Sequence, residues 1–184
     1  VKYRIKKTKD PELKNKLIDT LMLVYDQRIK YFPVHYKTKK PQEGKILGRK
    51  GVALYELKPE EYLQVHEILN ESIELDGQNA SGPVYVYYFR TLTKMAIKGD
   101  ADTADIVDAY DQIGDYIDAN LKIYIEKGDD KKIQEYENIK GNIENTFEPF
   151  AKCTDLVRIY KQKYDLDPEN IDLLKKIVRL LDKK

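Results

Sequence analysis

The segment "YKQKYDLDPENIDLLKKIVRLL" (residues 160–181) decides the fold, because it contains the end of one helix and the start of the next. Asp167-Pro168-Glu169 predicts a helix start. The Asp carboxylate can accept hydrogen bonds from the free N–H groups of the first turn, and proline suits the first helical position. An apolar stripe must be buried against other helices, so the segment predicts a chain of packed helices. The apolar residues at helical spacing are Ile171, Leu174, Ile177, Val178 and Leu181.

The same periodicity recurs along the chain and predicts an all-α protein. The segment "VYVYYFRTLTKMAI" (84–97) starts with β-branched and aromatic residues typical of a strand. Its length and the lack of a partner strand favour a helix instead. Short connections predict antiparallel helical hairpins stacked as an α-solenoid, with a compact bundle as the alternative. The eight expected helices lie near residues 10–32, 45–56, 59–75, 84–97, 102–126, 130–147, 154–165 and 169–181.

The helix starts also divide the chain into units. Helices that open a pair are expected near residues 44, 81, 130 and 169, and their spacings of about 37, 49 and 39 residues are those of helical repeats. We expect a single helical-repeat region, excerpted from a longer chain, because the last helix has no following helix to cover its second side. The predicted units are 1–43, 44–80, 81–129, 130–168 and an incomplete 169–184.

Charge is distributed unevenly along the sequence. The whole chain carries 33 Lys and Arg against 32 Asp and Glu, a net charge of +1. Residues 1–50 alone have a net charge of +10, and residues 51–184 have −9. This asymmetry could steer an acidic partner, but charge complementarity between neighbouring repeats is the favoured explanation. No stretch approaches the roughly 18 consecutive apolar residues of a membrane helix, so we expect no membrane insertion.

Two segments resemble the tetratricopeptide repeat. In "LYELKPEEYLQVHEILNESIELDG" (54–77), Glu60-Glu61 starts a second helix of the repeat and Leu75-Asp76-Gly77 ends it. In residues 160–181, Leu166-Asp167-Pro168 is similar to the boundary between two repeats. The chain therefore resembles a divergent tetratricopeptide-repeat-like protein of bacterial type.

The resemblance has departures and a functional implication. Gly77 stands where the family usually has proline, Val178 stands where a small residue is usual, and the helix over 102–126 is unusually long. The family likeness implies a concave groove, lined by the first helices of the repeats, that holds a peptide or another protein. The outward positions expected to line that groove are Tyr85, Tyr88, Asp172, Lys175 and Arg179.

Three motifs that could indicate chemistry lack a required residue or the required spacing. "HEILN" (66–70) has Asn70 in place of the second histidine of a zinc-protease helix. "DADTADIVDAYD" (100–111) has Asp105 where a calcium loop needs glycine. "GKILGRKG" (44–51) lacks the spacing of a phosphate-binding loop. We therefore expect no catalytic residue, cofactor or metal site, and the single cysteine excludes an intramolecular disulfide.

The sequence thus predicts a non-catalytic scaffold that binds a protein or peptide. One alternative is a helical enzyme or sensor domain with a small-molecule pocket, built on a buried polar cluster around Tyr87, Arg90 and the "DAD" loop (100–102). Another is a structural spacer in a larger protein. The basic segment 35–50, with nearby aromatic residues, is not expected to bind nucleic acid because the chain is nearly neutral and has no such motif.

The sequence gives little indication of localisation. Arrays of this type occur in the cytoplasm and, behind a signal peptide, in the bacterial envelope. The apparent absence of the true N-terminus favours the envelope slightly.

Overall fold

The computed structural model describes residues 1–150 and 153–181, and this part of the chain is built of helices and their connections. The all-α prediction is confirmed for these residues, including a helix over 84–97. A 3₁₀ turn (Gly77–Asn79) follows the fourth helix. The helices are α1 (Lys2–Lys7), α2 (Pro11–Tyr31), α3 (Glu43–Leu57), α4 (Tyr62–Asp76), α5 (Gly82–Lys98), α6 (Thr103–Lys127), α7 (Asp130–Phe147), α8 (Cys153–Leu166) and α9 (Ile171–Leu181).

Two predicted helix starts have different outcomes. Asp10 caps α2 as expected, since its carboxylate accepts a hydrogen bond of 2.9 Å from the backbone N–H of Glu12. The start predicted at Asp167 is about one turn early, because Asp167 accepts from the backbone N–H of Asn170 at 3.1 Å and closes a turn there. Asn170 then accepts from the first turn of the helix, which begins at Ile171.

The helix α5 lies at the centre of the packing. It contacts α3 and α4 before it in the chain, and α6 and α7 after it. The helix α3 packs on α2, α4 and α5, while α8 packs on α9. Each of α3 and α5 therefore contacts the two helices that follow it. These contacts are compatible with a helical repeat, and the division of the chain into repeat units stays a prediction.

The main hydrophobic core is formed by residues of the successive helices α3 to α7. The rings of Tyr110 and Phe147 stack with centroids 4.1 Å apart, and Phe89 meets Phe147 edge-on at 6.2 Å. A second, smaller cluster joins α1 to α2 and α3. Because the two clusters meet at α3, this helix connects the N-terminal helices to the rest of the core. The residues of the small cluster are Ile5, Ile18, Leu21 and Ala53.

The glycines of segment 44–51 allow α3 to lie close to its neighbours. A Cβ atom on Gly51 would lie 2.5 Å from the Cδ2 atom of Leu69 on α4. A Cβ atom on Gly48 would lie 2.7 Å from the Cγ2 atom of Val84 on α5. Side chains of normal size would push the helices apart, so these glycines have a packing role.

Candidate protein-binding surface

Tyr85 is not at an outward position, contrary to the expectation from the sequence. It is fully buried (0% exposed) in the main core. Its hydroxyl donates a hydrogen bond of 2.7 Å to the carbonyl of Gly77, and burial raises the pKa of the phenol. The bonded hydroxyl allows this tyrosine to act as a core residue. The outward face of α5 therefore lies elsewhere on the helix.

The other four expected groove residues lie in separate places. Tyr88 is half-buried and its ring stacks on His66 of α4 at 4.7 Å. Lys175 is exposed on α9. The side chains of Asp172 and Arg179 lie outside the part of the chain that the structure describes. Tyr88 and Lys175 lie on two different helices, α5 and α9, and whether any of these residues contacts a partner stays a prediction.

A different set of side chains connects α3, α5 and α7 at the surface. The ring of Tyr55 on α3 lies 4.7 Å from the ring of Tyr87 on α5. The guanidinium of Arg90 lies 5.8 Å from the same Tyr87 ring and donates a hydrogen bond of 3.2 Å to the side-chain carbonyl of Asn142 on α7. We call Tyr55, Tyr87, Arg90 and Asn142 the surface ladder. It spans three helices with partly exposed side chains.

The surface ladder combines apolar area with hydrogen-bonding capacity. The two tyrosine rings pack on each other and on the core, and their partly exposed parts add apolar area and hydroxyl groups to the surface. A guanidinium has five N–H donors in a fixed geometry. The neighbours of Arg90 in the ladder are a neutral amide and a ring, and none of the ion pairs among the described residues includes it. The ladder can therefore offer a positive charge to an acidic group of a partner.

A second concave surface lies between α4, α5 and α6. It forms an open depression of about 560 Å³, and we call it the acidic cleft. The buried side chain of Leu92 contributes to its floor, and His66 and Tyr88 form one wall. Three exposed carboxylates complete the lining, and neither lysine nor arginine is among the described residues that line it. The carboxylates belong to Asp100, Asp105 and Asp108.

His66 is held in its neutral form by its surroundings. Burial lowers the pKa of its imidazole, while a hydrogen bond from the imidazole to the backbone carbonyl of Tyr88 and the charges of Glu67 and Asp105 raise it. The lowering by burial is the largest effect, so the pKa is below its usual value. Nδ1 of His66 lies 3.2 Å from the hydroxyl of Thr91. The negative charge of the cleft is therefore not compensated by this histidine near neutral pH.

A third surface lies where α2 ends and the loop before α3 begins. Its cavity of about 560 Å³ is mainly apolar, and it is lined by aromatic residues that lie in or just before the basic segment 35–50. A group of exposed aromatic side chains is uncommon on a protein surface and indicates a contact site. The aromatic residues are Tyr31, Phe32 and Tyr36, and Arg28 adds a positive charge.

The predictions from the sequence include Tyr87 and Arg90 only in the alternative of a small-molecule pocket. The sequence contains a signal for their outward placement. Arg90 and Lys94 are the two charged residues of segment 84–97 and lie four residues apart, so they mark the side of α5 that faces water. Tyr87 precedes Arg90 by three residues and lies on the same side, whereas Tyr85 does not.

Comparison with known proteins assigns no family. No family model matches the chain, and no curated protein matches it in sequence. Within residues 1–150 and 153–181, no helix is both long enough and apolar enough to cross a membrane. In the same part of the chain, no group of three or more histidine, cysteine, aspartate or glutamate side chains is arranged to hold a metal ion. The candidate surfaces thus rest on the geometry alone.

Proposed function

We propose that the chain is a non-catalytic scaffold of tetratricopeptide-repeat-like helical hairpins that binds a protein or peptide on the surface formed by α3, α5 and α7. Two features support the repeat architecture: the resemblance of residues 54–77 and 160–181 to the repeat, and the packing of α3 and α5 on the two helices that follow each. In such an array the first helices of successive pairs form one continuous surface. Here those helices are α3, α5 and α7.

The surface ladder is the observation that carries this proposal. It places Tyr55, Tyr87, Arg90 and Asn142 side by side on the three helices that would line the groove. An extended peptide could pack apolar side chains on the two rings while an acidic side chain pairs with Arg90. The residues that dominate binding at protein interfaces are enriched in tyrosine and arginine. The proposed partner is therefore a segment that contains both apolar and acidic residues.

The experiment is a selection of binding peptides from a random displayed library, with the intact chain as bait. We expect the selected peptides to contain acidic and apolar residues and to bind in solution. Tyr87→Ala combined with Arg90→Glu should weaken their binding at least about tenfold, because a binding anchor of this type contributes about 2 kcal/mol or more. Fluorescence anisotropy of a labelled peptide measures the affinity.

The chain offers a matched control on α2. Arg28 and Tyr31 are also an arginine and a tyrosine three residues apart, and both are exposed. Arg28→Glu combined with Tyr31→Ala makes the same chemical change far along the chain from the ladder. If this control pair weakens binding and the Tyr87 and Arg90 pair does not, the binding surface is the end of α2 and the proposal for the ladder is wrong.

A further inference from the structure

The loop before α3 presents a rigid group of positive charges. We call residues 33–42 the basic loop. Its two ends are joined by a β-bridge between Val34 and Pro41, and the backbone N–H of Gln42 donates to the carbonyl of Pro33 at 2.9 Å. The Gln42 side chain is buried and donates to the carbonyl of Phe32 at 2.7 Å. The loop is thus held in one shape before any contact is made, which lowers the entropic cost of binding.

The tip of the basic loop points its charges into solvent. Lys37, Lys39 and Lys40 are all exposed, and Tyr36 beside them is 71% exposed. None of the ion pairs among the described residues includes these three lysines. The loop therefore offers three ammonium groups and an aromatic ring to a partner of opposite charge.

The acidic cleft has the complementary features. Asp100, Asp105 and Asp108 provide three carboxylates around an open depression of about 560 Å³ with an apolar floor. A lysine side chain can place its ammonium group against carboxylates while its methylene stem covers apolar surface. The half-buried ring of Tyr88 in the wall adds a face that attracts a cation.

These two surfaces lie at opposite ends of α3. The basic loop directly precedes the first residue of this helix, which is 15 residues long and hence about 22 Å in length. At the far end, the ammonium group of Lys94 donates to the carbonyl of Pro59 at 2.7 Å, and the hydroxyl of Tyr62 donates to Asp100 at 2.9 Å. Asp100 thus lies beside the turn that follows α3. One chain cannot bring its own basic loop into its own acidic cleft.

We propose that the basic loop of one copy of this chain docks into the acidic cleft of a second copy. Because the loop and the cleft lie at opposite ends of α3, the contact is head-to-tail, and a docked pair keeps one free loop and one free cleft for further copies. Repetition of the contact gives open chains, or rings of more than two copies where the rotation closes. The proposal is independent of peptide binding by the surface ladder, since it uses neither Tyr87 nor Arg90.

The test is sedimentation of the intact chain over a range of concentrations and salt. The average mass should rise with concentration in about 0.02 M NaCl and should return to that of a monomer in about 0.5 M NaCl, because salt screens charge pairs. Lys37→Glu combined with Lys40→Glu should lower the association constant at least about tenfold. Asp100→Lys combined with Asp108→Lys should do the same.

Mixing the two reversed variants makes the test specific. Neither variant should associate alone, but their equimolar mixture should, because each loop then meets a cleft of opposite charge. Glu126→Lys combined with Glu137→Lys is the matched control for the cleft variant, since it also replaces two acidic residues by lysine but at exposed positions outside the cleft. It should leave association intact. A wild-type chain that stays monomeric at low salt would overturn the proposal. So would an association that survives both reversals, or a mixture of folded variants that fails to associate.

Discussion

The helices α3 and α9 are both amphipathic, but they are buried to very different extents. α3 packs on three helices and buries most of its apolar side chains, together with its glycines. α9 packs on α8, and on it Ile177 is buried while Leu174 is 43% and Val178 is 48% exposed. The difference teaches that an apolar stripe predicts a helix, whereas the number of neighbours decides how much of the stripe is buried. The central region (α3 to α7) and the C-terminal hairpin (α8 and α9) should therefore respond differently to mutation.

Truncating a leucine in each region should give the largest difference. Leu69 on α4 is fully buried, so Leu69→Ala should lower the free energy of unfolding by about 3 kcal/mol, from lost transfer energy and a cavity. Leu174 on α9 is already partly in water, so Leu174→Ala should cost less than about 1 kcal/mol. Urea unfolding of both variants measures the two values. Equal losses would mean that Leu174 is covered in solution and that the contrast between the regions is false.

Adding a methyl group at a glycine should sharpen the same contrast, with a smaller effect. Gly48→Ala should destabilise the protein by about 1 kcal/mol net, because crowding against Val84 outweighs the better helix propensity of alanine. Gly141 on α7 has open space where its Cβ would be, so Gly141→Ala should stabilise by about 0.5–1 kcal/mol. Thermal unfolding of both variants reports the sign. If Gly48→Ala also stabilises the protein, α3 does not need its close approach to α5.

Much of the fold could be predicted from periodicity, because the start and the apolar stripe of a helix depend on residues that are close together in the chain. Asp10-Pro11 gives a helix start that needs no tertiary contact, because its cap is formed by the first turn itself. Asp167-Pro168 has the same pattern but forms a turn, and Asn170 takes over the capping. The sequence also does not indicate that the glycines of α3 meet Leu69, since that contact depends on how two helices pack.

The candidate surface was harder to predict, because tyrosine fits both the core and the surface. Tyr85 is buried since its hydroxyl reaches the carbonyl of Gly77, a partner that appears only once the turn after α4 is formed. Tyr87 is at the surface, two residues further along the same helix. A charged neighbour distinguishes them: Arg90 lies on the side of Tyr87. The charged residues of α5 therefore indicate its outward face better than its aromatic residues do, whereas the polar Thr91 and Thr93 are buried.

The loss of stability at acid pH that depends on His66 should affect α4 and α5 and not α8 and α9, and it is the smallest of these effects. Burial lowers the pKa of His66 in the folded protein below its usual value. Near pH 7.5 the imidazole is neutral in both states. As the pH falls through 6.5, the unfolded chain binds a proton that the folded chain resists, so the free energy of unfolding decreases. His66→Gln should reduce this decrease, as measured by urea unfolding at several pH values.

Hydrogen exchange can locate the effect, because residues 153–181 contain no histidine. Lowering the pH from about 7.5 to about 5.5 should increase opening in α4 and α5 of the wild type, after correction for the intrinsic exchange rate, and should do so less in His66→Gln. Opening in α8 and α9 should change equally in the wild type and in His66→Gln. A comparison of the two chains at pH 7.5 separates lost stacking on Tyr88 from titration, because His66 is neutral there. If acid increases opening equally in the wild type and in His66→Gln, carboxylates rather than His66 control the acid response. The central region then has no loss of stability that depends on a histidine, and the contrast with α8 and α9 is lost.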